Sequence, residues 1–202
     1  MKSIILIGNG GHCKSCIDVI ENSTDFNIKG LISKDSNQSE NFMNYRILGN
    51  DSNILDYFSQ DDYGLIAVGQ IKSAKKRISL FNLLKKNKIL LATVKSKYSI
   101  VSNSAFLGAG TITMHNSIIN AGAEIGMNCI LNTNSLVEHE VKIGNHCHIS
   151  TGAIINGGVT IGHESFIGSG CIIREGIKIG DNVLVSAGKV VMRDLEPNTV
   201  FK

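Results

Sequence analysis

The chain has no tryptophan, and aromatic residues make up only 5% of its 202 residues. This composition disfavours a core built around large aromatic side chains and favours one of Ile and Val. No apolar run approaches the ~18 residues of a membrane span, so we expect none. The short apolar run at residues 4–7 leads directly into glycines and is too short for a signal peptide. We therefore expect a cytoplasmic protein.

A strong charge of either sign is also missing, since the formal net charge is +3. The basic residues do not alternate with aromatic ones, so we expect no nucleic-acid partner. The apolar content of 43% is that of an ordinary globular chain of one or two domains.

The five cysteines do not form a metal-binding pattern. Cys13 and Cys16 form a single CxxC pair, and no second CxxC or HxxxH pair completes a zinc site. The pair lies in a segment with helical spacing, which favours a structural role over a redox motif. Cys129, Cys147 and Cys171 share one position of a repeat described below, and we expect them to be small core residues.

Residues 100–195 divide into sixteen consecutive hexads without an insertion or deletion. The second position of each hexad is Val, Leu or Ile in all but one, where it is Thr113. A period of six is typical of a parallel β-helix solenoid, in which about three hexads make one triangular coil. We therefore predict about five coils. The flat faces of such a solenoid favour self-association.

Many hexads carry glycine at the third position, for example Gly126 and Gly144. We expect these glycines to supply backbone angles at the tight corners that other residues adopt with difficulty.

Residues 1–96 lack the hexads and are predicted to form a Rossmann-like α/β domain, followed by a β-helix domain at 97–202. The apolar patterns predict strands, a loop and two helices. The strands are expected at 3–7, 28–32, 65–68 and 89–94, the loop at 33–45, and the helices at 13–22 and 72–88. The second helix is basic, with an apolar stripe of Ile78, Phe81 and Leu84.

Gly8-Asn9-Gly10-Gly11-His12 follows the first predicted strand. Backbone N–H groups of a glycine turn at a helix N-terminus can bind a phosphate or diphosphate. The segment is not a full GxGxxG motif, so NAD binding is not expected. A simple tight turn between strand and helix remains the alternative.

Glu138-His139-Glu140 stands out in the repeat, with His148 nine residues further on. A histidine beside a carboxylate suits a general base, because the carboxylate fixes the tautomer and raises the basicity. The alternative is an exposed turn with unrelated charges. We expect no metal, because His139, His146 and His148 lack the spacing that converges ligands. No role is expected for the remaining histidines, His115 and His163 among them.

In its order of motifs the chain resembles the hexapeptide-repeat sugar acetyltransferases, in particular the NeuD/PglD-like branch. The resemblance rests on the Gly-x-Gly-Gly-His opening, the short α/β domain, residues 130–133, residues 137–140 and residues 148–150. It implies a left-handed β-helix, a homotrimer, acetyl-CoA as co-substrate bound between subunits, no metal, and a nucleotide-linked sugar on the amino-terminal domain.

By matching motif, the resemblance implies that His139 is the general base and that Glu140 orients it. His148 would contact the acetyl thioester, the N–H of Gly157 would stabilise the oxyanion, and Asn132 would lie near the reacting amine. The pantetheine channel would be lined by the backbones of Ser169 and Ala187. The sugar nucleotide would be contacted by Gly10, Gly11, His12 and Gly69.

The chain departs from the family pattern at the expected nucleotide site. A pair of aspartates often ends the second strand, where this chain has Ser33-Lys34-Asp35, and the segment after Gly69 lacks the usual Asn and Arg residues. The resemblance implies N-acetylation of a nucleotide-linked amino-deoxysugar for a surface glycan. O-acetylation of a sialic-type acid, or a solenoid scaffold that binds a sugar nucleotide without catalysis, remain the alternatives.

Overall fold

The computed structural model describes residues 1–23, 25–34 and 41–202. The amino-terminal part is a six-stranded sheet of order β3-β4-β2-β1-β5-β6. All neighbours in it pair in parallel except β3, which is antiparallel to β4. Its elements are β1 (Lys2–Ile7), α1 (Gly11–Glu21), β2 (Phe26–Ser33), β3 (Asn41–Phe42), β4 (Tyr45–Asn50), a 3-10 turn (Ile54–Tyr57), β5 (Tyr63–Ile66), α2 (Lys75–Lys86) and β6 (Leu90–Leu91).

The central strand β1 is buried on both sides because helices cover both faces of this parallel sheet. On one face, Cys16 and Ile17 of α1 belong to the same apolar cluster as Ile4 and also as Ile112 and Ile130 of the repeat region. The helix α2 packs on the opposite face. The amino-terminal part is therefore joined to the repeat region by a shared core.

Residues 94–201 form a parallel β-solenoid, which confirms the fold predicted from the hexads. Three faces contain seven, six and five short strands, or about six coils, because the solenoid also extends beyond the sixteen hexads at both ends. The first face contains β7 (Val94–Lys95), β10 (Ile112–Thr113), β13 (Ile130–Leu131), β16 (His148–Ile149), β19 (Phe166–Ile167), β22 (Leu184–Val185) and β24 (Val200–Phe201).

The other two faces follow the same 18-residue repeat. The second face contains β8 (Ile100–Val101), β11 (Ile118–Ile119), β14 (Leu136–Val137), β17 (Ile154–Ile155), β20 (Ile172–Ile173) and β23 (Val190–Val191). The third face contains β9 (Phe106–Leu107), β12 (Glu124–Ile125), β15 (Lys142–Ile143), β18 (Thr160–Ile161) and β21 (Lys178–Ile179).

The second hexad position lines the interior. From Ile119 to Val191, every residue at this position is at most 4% exposed. The exception in the pattern, Thr113, is also buried, and its hydroxyl hydrogen-bonds to that of Ser99 at 2.9 Å. The three repeat cysteines are buried as predicted.

Glycine at the third hexad position allows close packing rather than an unusual φ, so the sequence-based expectation was wrong. Left-handed φ angles lie at the fifth position, from Gly110 to Gly188. At Gly126, a Cβ atom would lie 2.7 Å from the carbonyl carbon of Gly144 in the next coil. These glycines therefore let successive coils approach each other.

Three segments differ from the sequence-based prediction. Residues 89–94 are not one strand: β6 ends the first sheet, and β7 begins the solenoid. The predicted loop at 33–45 contains the end of β2 and all of β3, while residues 35–40 lie outside the described residues. The strand β4 was missed. No helix of the described residues is long and apolar enough to cross a membrane.

Candidate active site

A cavity of about 1010 Å³ lies where the carboxyl ends of β1 and β5 meet the solenoid. Its walls come from the glycine turn after β1, the segment after β5, and the corner between the first and second solenoid faces, which we call the first corner. The lining residues are Gly8, Asn9, Gly10, Gly11, His12, Ser15, Lys34, Asp51, Ala67, Val68, Gly69, Gln70, Ile71, Lys76, Asn132, Thr133, His148 and Thr151.

The glycine turn presents the N-terminus of α1 to this cavity. Gly8 has φ +125°, and a Cβ there would lie 3.1 Å from the backbone of Ala67, so glycine is required. Gly10 is the N-cap and provides no side-chain cap, and a Cβ on Gly10 or Gly11 would contact no protein atom within 4 Å. The N–H groups of the first helical turn lack partners within the helix and favour an anion.

His12 is held in a neutral state at the base of this turn. Burial is the main cause that lowers its pKa to about 3, and the nearby Arg77 and His148 act in the same direction. A Cβ on Gly69 would lie 3.4 Å from the Cβ of His12. A larger residue at position 69 would therefore crowd the histidine.

Charged side chains also line the cavity. Lys76 of α2 forms an ion pair with Asp51, and Lys34 follows directly after β2. Lys34, Asp51 and Lys76 together carry a net positive charge. Together with the N-terminus of α1, they make the cavity suited to an anionic ligand.

His148 is 6% exposed, and both of its ring nitrogens have partners. The carbonyl oxygen of Gln70 lies 2.7 Å from Nδ1 and can only accept, so Nδ1 carries the proton. Nε2 then accepts a hydrogen bond from Nδ2 of Asn132 at 3.0 Å. Burial lowers the pKa of His148 to about 4, against the effect of the Gln70 carbonyl. The ring is therefore neutral, with one defined tautomer.

The first corner continues from the cavity along the solenoid. Thr133 and Thr151 line the cavity, and Ser169 and Ala187 follow at the same 18-residue spacing in the next coils. The hydroxyls of Ser150 and Ser169 hydrogen-bond at 2.9 Å, linking adjacent coils. This row provides a strip about two coils long beyond the cavity.

His139, Glu140 and Gly157 lie at the corner between the second and third faces, which we call the second corner. The side chains of His139 and Glu140 are 63% and 79% exposed, with Nδ1 and Oε2 3.5 Å apart. Gly157 lies in the next coil, against the His139 ring. The carboxylate of Glu138 accepts a hydrogen bond from Nδ2 of Asn120 at 2.9 Å.

Within one chain, the predicted site residues therefore fall into three groups. One group lines the cavity and comprises Gly10, Gly11, His12, Gly69, Asn132 and His148. A second lies further along the first corner and comprises Ser169 and Ala187. The third lies at the second corner and comprises His139, Glu140 and Gly157.

Gln70 and Arg77 were not predicted from the sequence as residues of the site. Gln70 was noted only as a departure from a family pattern, and its backbone carbonyl, which contacts His148, carries no sequence signal. Arg77 belongs to the helix predicted as basic, and it is 1% exposed.

The remaining histidines and the CxxC pair have structural contacts. His115 hydrogen-bonds to Asp18 at 2.8 Å and to Ser96 at 2.6 Å, which ties α1 to the solenoid. Cys13 and Cys16 are buried, and burial raises the pKa of both thiols. Among the residues that the structure describes, no group of His, Cys, Asp and Glu side chains is placed to hold a metal ion.

Comparison with protein families gives three matches along the chain. Residues 3–83 match the PglD N-terminal domain. Residues 140–175 match the bacterial transferase hexapeptide family, and residues 158–193 match the hexapeptide repeat of succinyl-transferase. No curated protein matches the chain significantly.

Solved structures match over nearly the whole chain. PerB from Caulobacter crescentus, in complex with CoA and GDP-perosamine, is 27% identical, with a TM-score of 0.89 over 98% of this chain and 92% of that chain. The acetyltransferase domain of PglB from Neisseria gonorrhoeae, in complex with acetyl coenzyme A, is 24% identical, with a TM-score of 0.89 over 98% and 94%. WeeI from Acinetobacter baumannii is 21% identical, with a TM-score of 0.85 over 99% and 97%.

Proposed function

Because the chain is a hexapeptide-repeat acyltransferase of the left-handed β-helix fold with a PglD-type amino-terminal domain, we propose that it transfers an acetyl group from acetyl-CoA to the amino group of a nucleotide-linked amino-deoxysugar. One observation carries this proposal: a single cavity joins the N-terminus of α1 to Asn132 and His148. The helix N-terminus suits the diphosphate, and the solenoid corner suits the reacting end of the sugar.

The similarity to PerB supports this choice of substrates. PerB was solved with CoA and GDP-perosamine, and the similarity spans both parts of this chain. Acetyl-CoA would bind along the first corner, where Ser169 and Ala187 would line the pantetheine channel. His148 would lie beside the thioester.

The second solenoid face supports a homotrimer. Its outward-facing column is aliphatic in every coil: Ile100, Ile118, Leu136, Ile154, Ile172 and Val190. The corresponding column of the third face is mostly polar or charged, with Glu124, Lys142, Thr160 and Lys178. An aliphatic column on a flat face favours burial against another copy of the chain.

Packing of the second face about a threefold axis would also complete the active site. This face lies between the first and second corners. In a cyclic arrangement, the second corner of one subunit approaches the first corner of the next, because such an interface is heterologous. His139 of one subunit would then lie opposite Asn132 of its neighbour.

In the proposed reaction, the sugar amine attacks the thioester carbonyl of acetyl-CoA while His139 removes a proton from the amine. Glu140 orients the histidine. The N–H of Gly157 stabilises the tetrahedral oxyanion, an interaction typically worth ~10²–10³ in rate. The intermediate collapses to the amide and expels the CoA thiolate, which takes the proton back from His139. No covalent enzyme intermediate is formed, so neither Cys13 nor Cys16 takes part.

A panel assay tests the substrates. Acetyl-CoA is combined with UDP- or GDP-linked amino-deoxysugars, and thiol release is followed together with the mass of the product. A gain of one acetyl group on the amine supports the proposal. Thiol release at background with every amine would refute it.

Complementation tests the shared site. We expect His139→Ala and Asn132→Ala each to have strongly reduced activity alone, because each damages one corner. A mixed trimer carries one intact interface, so it should recover up to about a third of wild-type activity. No recovery in verified mixed trimers would contradict a site built from two subunits.

One observation favours a second candidate, O-acetylation of a sialic-type acid. Lys34 stands where the family often has carboxylates, and a cation there suits a free sugar acid. The same panel, with a free sialic acid as acceptor, distinguishes the two. A scaffold without catalysis would show no measurable acetyl-CoA affinity by calorimetry.

A further inference from the structure

Arg77 is a buried charge without a carboxylate partner among the described residues. Its guanidinium is 1% exposed, and all of its hydrogen-bond partners are neutral oxygens. Burying an arginine without a counter-charge is costly, so its hydrogen bonds must compensate. A side chain buried at this cost behind the cavity, bonded to the lining residue Val68, points to a specific role.

The guanidinium joins the two parts of the molecule. Nη1 donates to the carbonyl oxygens of Ile66 at 2.8 Å and Val68 at 2.6 Å, at the end of β5. Nη2 donates to the backbone oxygen of Asn128 at 3.0 Å and to its Oδ1 at 2.7 Å, in the solenoid. One planar group thereby fixes the segment after β5 against the solenoid.

That segment sets the tautomer of His148. Val68 is two residues before Gln70, whose carbonyl oxygen accepts the Nδ1 proton of His148 at 2.7 Å. Nε2 of the Gln70 side chain donates to the Glu164 backbone at 3.4 Å, which holds the other end of the segment. A shift of Val68 would move the Gln70 carbonyl away from the ring.

We propose that Arg77 is a positioning residue that keeps the proton of the neutral His148 ring on Nδ1 and leaves Nε2 free to accept from Asn132. Arg77 acts through the Val68–Gln70 segment. The charged and titratable groups that face His148 are Arg77 and His12, and His12 is itself neutral. The catalytic consequence rests on the proposed function, whereas the state of His148 does not.

Nuclear magnetic resonance of the ¹⁵N-histidine-labelled full chain tests this state directly. Long-range proton–nitrogen spectra identify which ring nitrogen carries the proton, and His148→Gln assigns the signals. Wild-type His148 should stay neutral with Nδ1 protonated down to about pH 5. Arg77→Met, which removes the guanidinium, should give a mixture of the two tautomers. Arg77→Lys should keep the ring neutral but mix the tautomers, because an ammonium group cannot bond all four oxygens.

A His148 ring that still carries its proton only on Nδ1 in folded Arg77→Met would overturn the proposal. If that variant does not fold, Asn128→Gly serves instead, because it removes one acceptor at a left-handed position where glycine is tolerated. A His148 signal in Asn128→Gly identical to that of the wild type would then be the overturning result. Catalytically, Arg77→Lys should lower kcat by about tenfold (~1.4 kcal/mol) with little change in KM for acetyl-CoA. An inactive wild type that gives the expected spectra would refute only the proposed function.

Discussion

The ring of His139 lies against the backbone of Gly157, one coil further along the second corner. A Cβ on Gly157 would lie 2.7 Å from both Cε1 and Nε2 of that ring. The contact between Nδ1 of His139 and Oε2 of Glu140 measures 3.5 Å, and both side chains are largely exposed. The absence of a side chain at position 157 therefore defines where the His139 ring can lie.

Gly157→Ala should lower kcat by ~10²-fold, because the added methyl group displaces the ring from its catalytic position. The free energy of unfolding should change little, since the exposed ring can move aside. Steady-state kinetics and urea unfolding of the same sample check both expectations.

The double variant His139→Ala/Gly157→Ala is the control for this prediction. Once the ring is removed, the methyl group at position 157 has nothing to displace. The second substitution should then lower the remaining activity by no more than about twofold. Fully additive losses would show that Gly157 acts independently of His139.

His139→Ala alone should lower kcat by ~10²-fold or more, as expected when a general base is lost. The dissociation constant for CoA should stay close to that of the wild type, because acetyl-CoA is proposed to bind along the first corner. Glu140→Gln keeps a polar side chain at this left-handed position and should cause a smaller loss. Near-normal turnover in His139→Ala would remove it from the mechanism.

Gly11→Ala tests whether the N-terminus of α1 faces the sugar nucleotide. A methyl group at position 11 would meet no protein atom, so folding should be undisturbed or favoured by up to about 1 kcal/mol. A bound diphosphate would be displaced, so KM for the sugar nucleotide should rise about tenfold, or ~1.4 kcal/mol. KM for acetyl-CoA serves as the internal control, and an equal rise in both would contradict a local effect.

Ile154→Asp tests the second face as the subunit interface. A carboxylate in the aliphatic column would be buried without a partner, so the trimer should dissociate and activity should be lost. Thr160→Asp places the same charge on the exposed third face and should leave both properties unchanged. Sedimentation velocity gives the oligomeric state, and an active monomeric wild type would contradict the shared site.

The sequence predicted the solenoid well because its hexads repeat a local rule. One aliphatic residue per hexad points inward, and a single chain fulfils that rule coil after coil without reference to distant residues. Strand β4 was missed because it is only partly buried, and its pairing with β2 is a tertiary contact. The role of the third-position glycines was predicted wrongly because the backbone that they let approach belongs to the next coil, 18 residues further along the chain.

The site residues also divide into those that the sequence predicts and those that depend on tertiary contacts. His139, Glu140 and Asn132 were chosen by chemistry and motif, but neither indicates which subunit would supply each residue to one site. Arg77 was missed because a basic residue on an amphipathic helix is normally solvated. Its partners are backbone oxygens of Ile66 and Val68 and the amide of Asn128, 51 residues further along the chain.

The neutral, buried His148 should make the folded state sensitive to acid. Its pKa is about 4 in the folded chain, below the ordinary value of 6.5. Above pH 6.5 neither the folded nor the unfolded chain binds the proton. Between pH 6.5 and pH 4 the unfolded chain binds it and the folded chain does not, so the free energy of unfolding decreases as the pH is lowered. The loss approaches the order of 3 kcal/mol near pH 4. Urea unfolding between pH 8 and pH 5, at fixed protein concentration, should show that His148→Gln reduces this slope by about one proton, or ~1.4 kcal/mol per pH unit near pH 5. Parallel curves for the two proteins would mean that His148 is charged in the folded state.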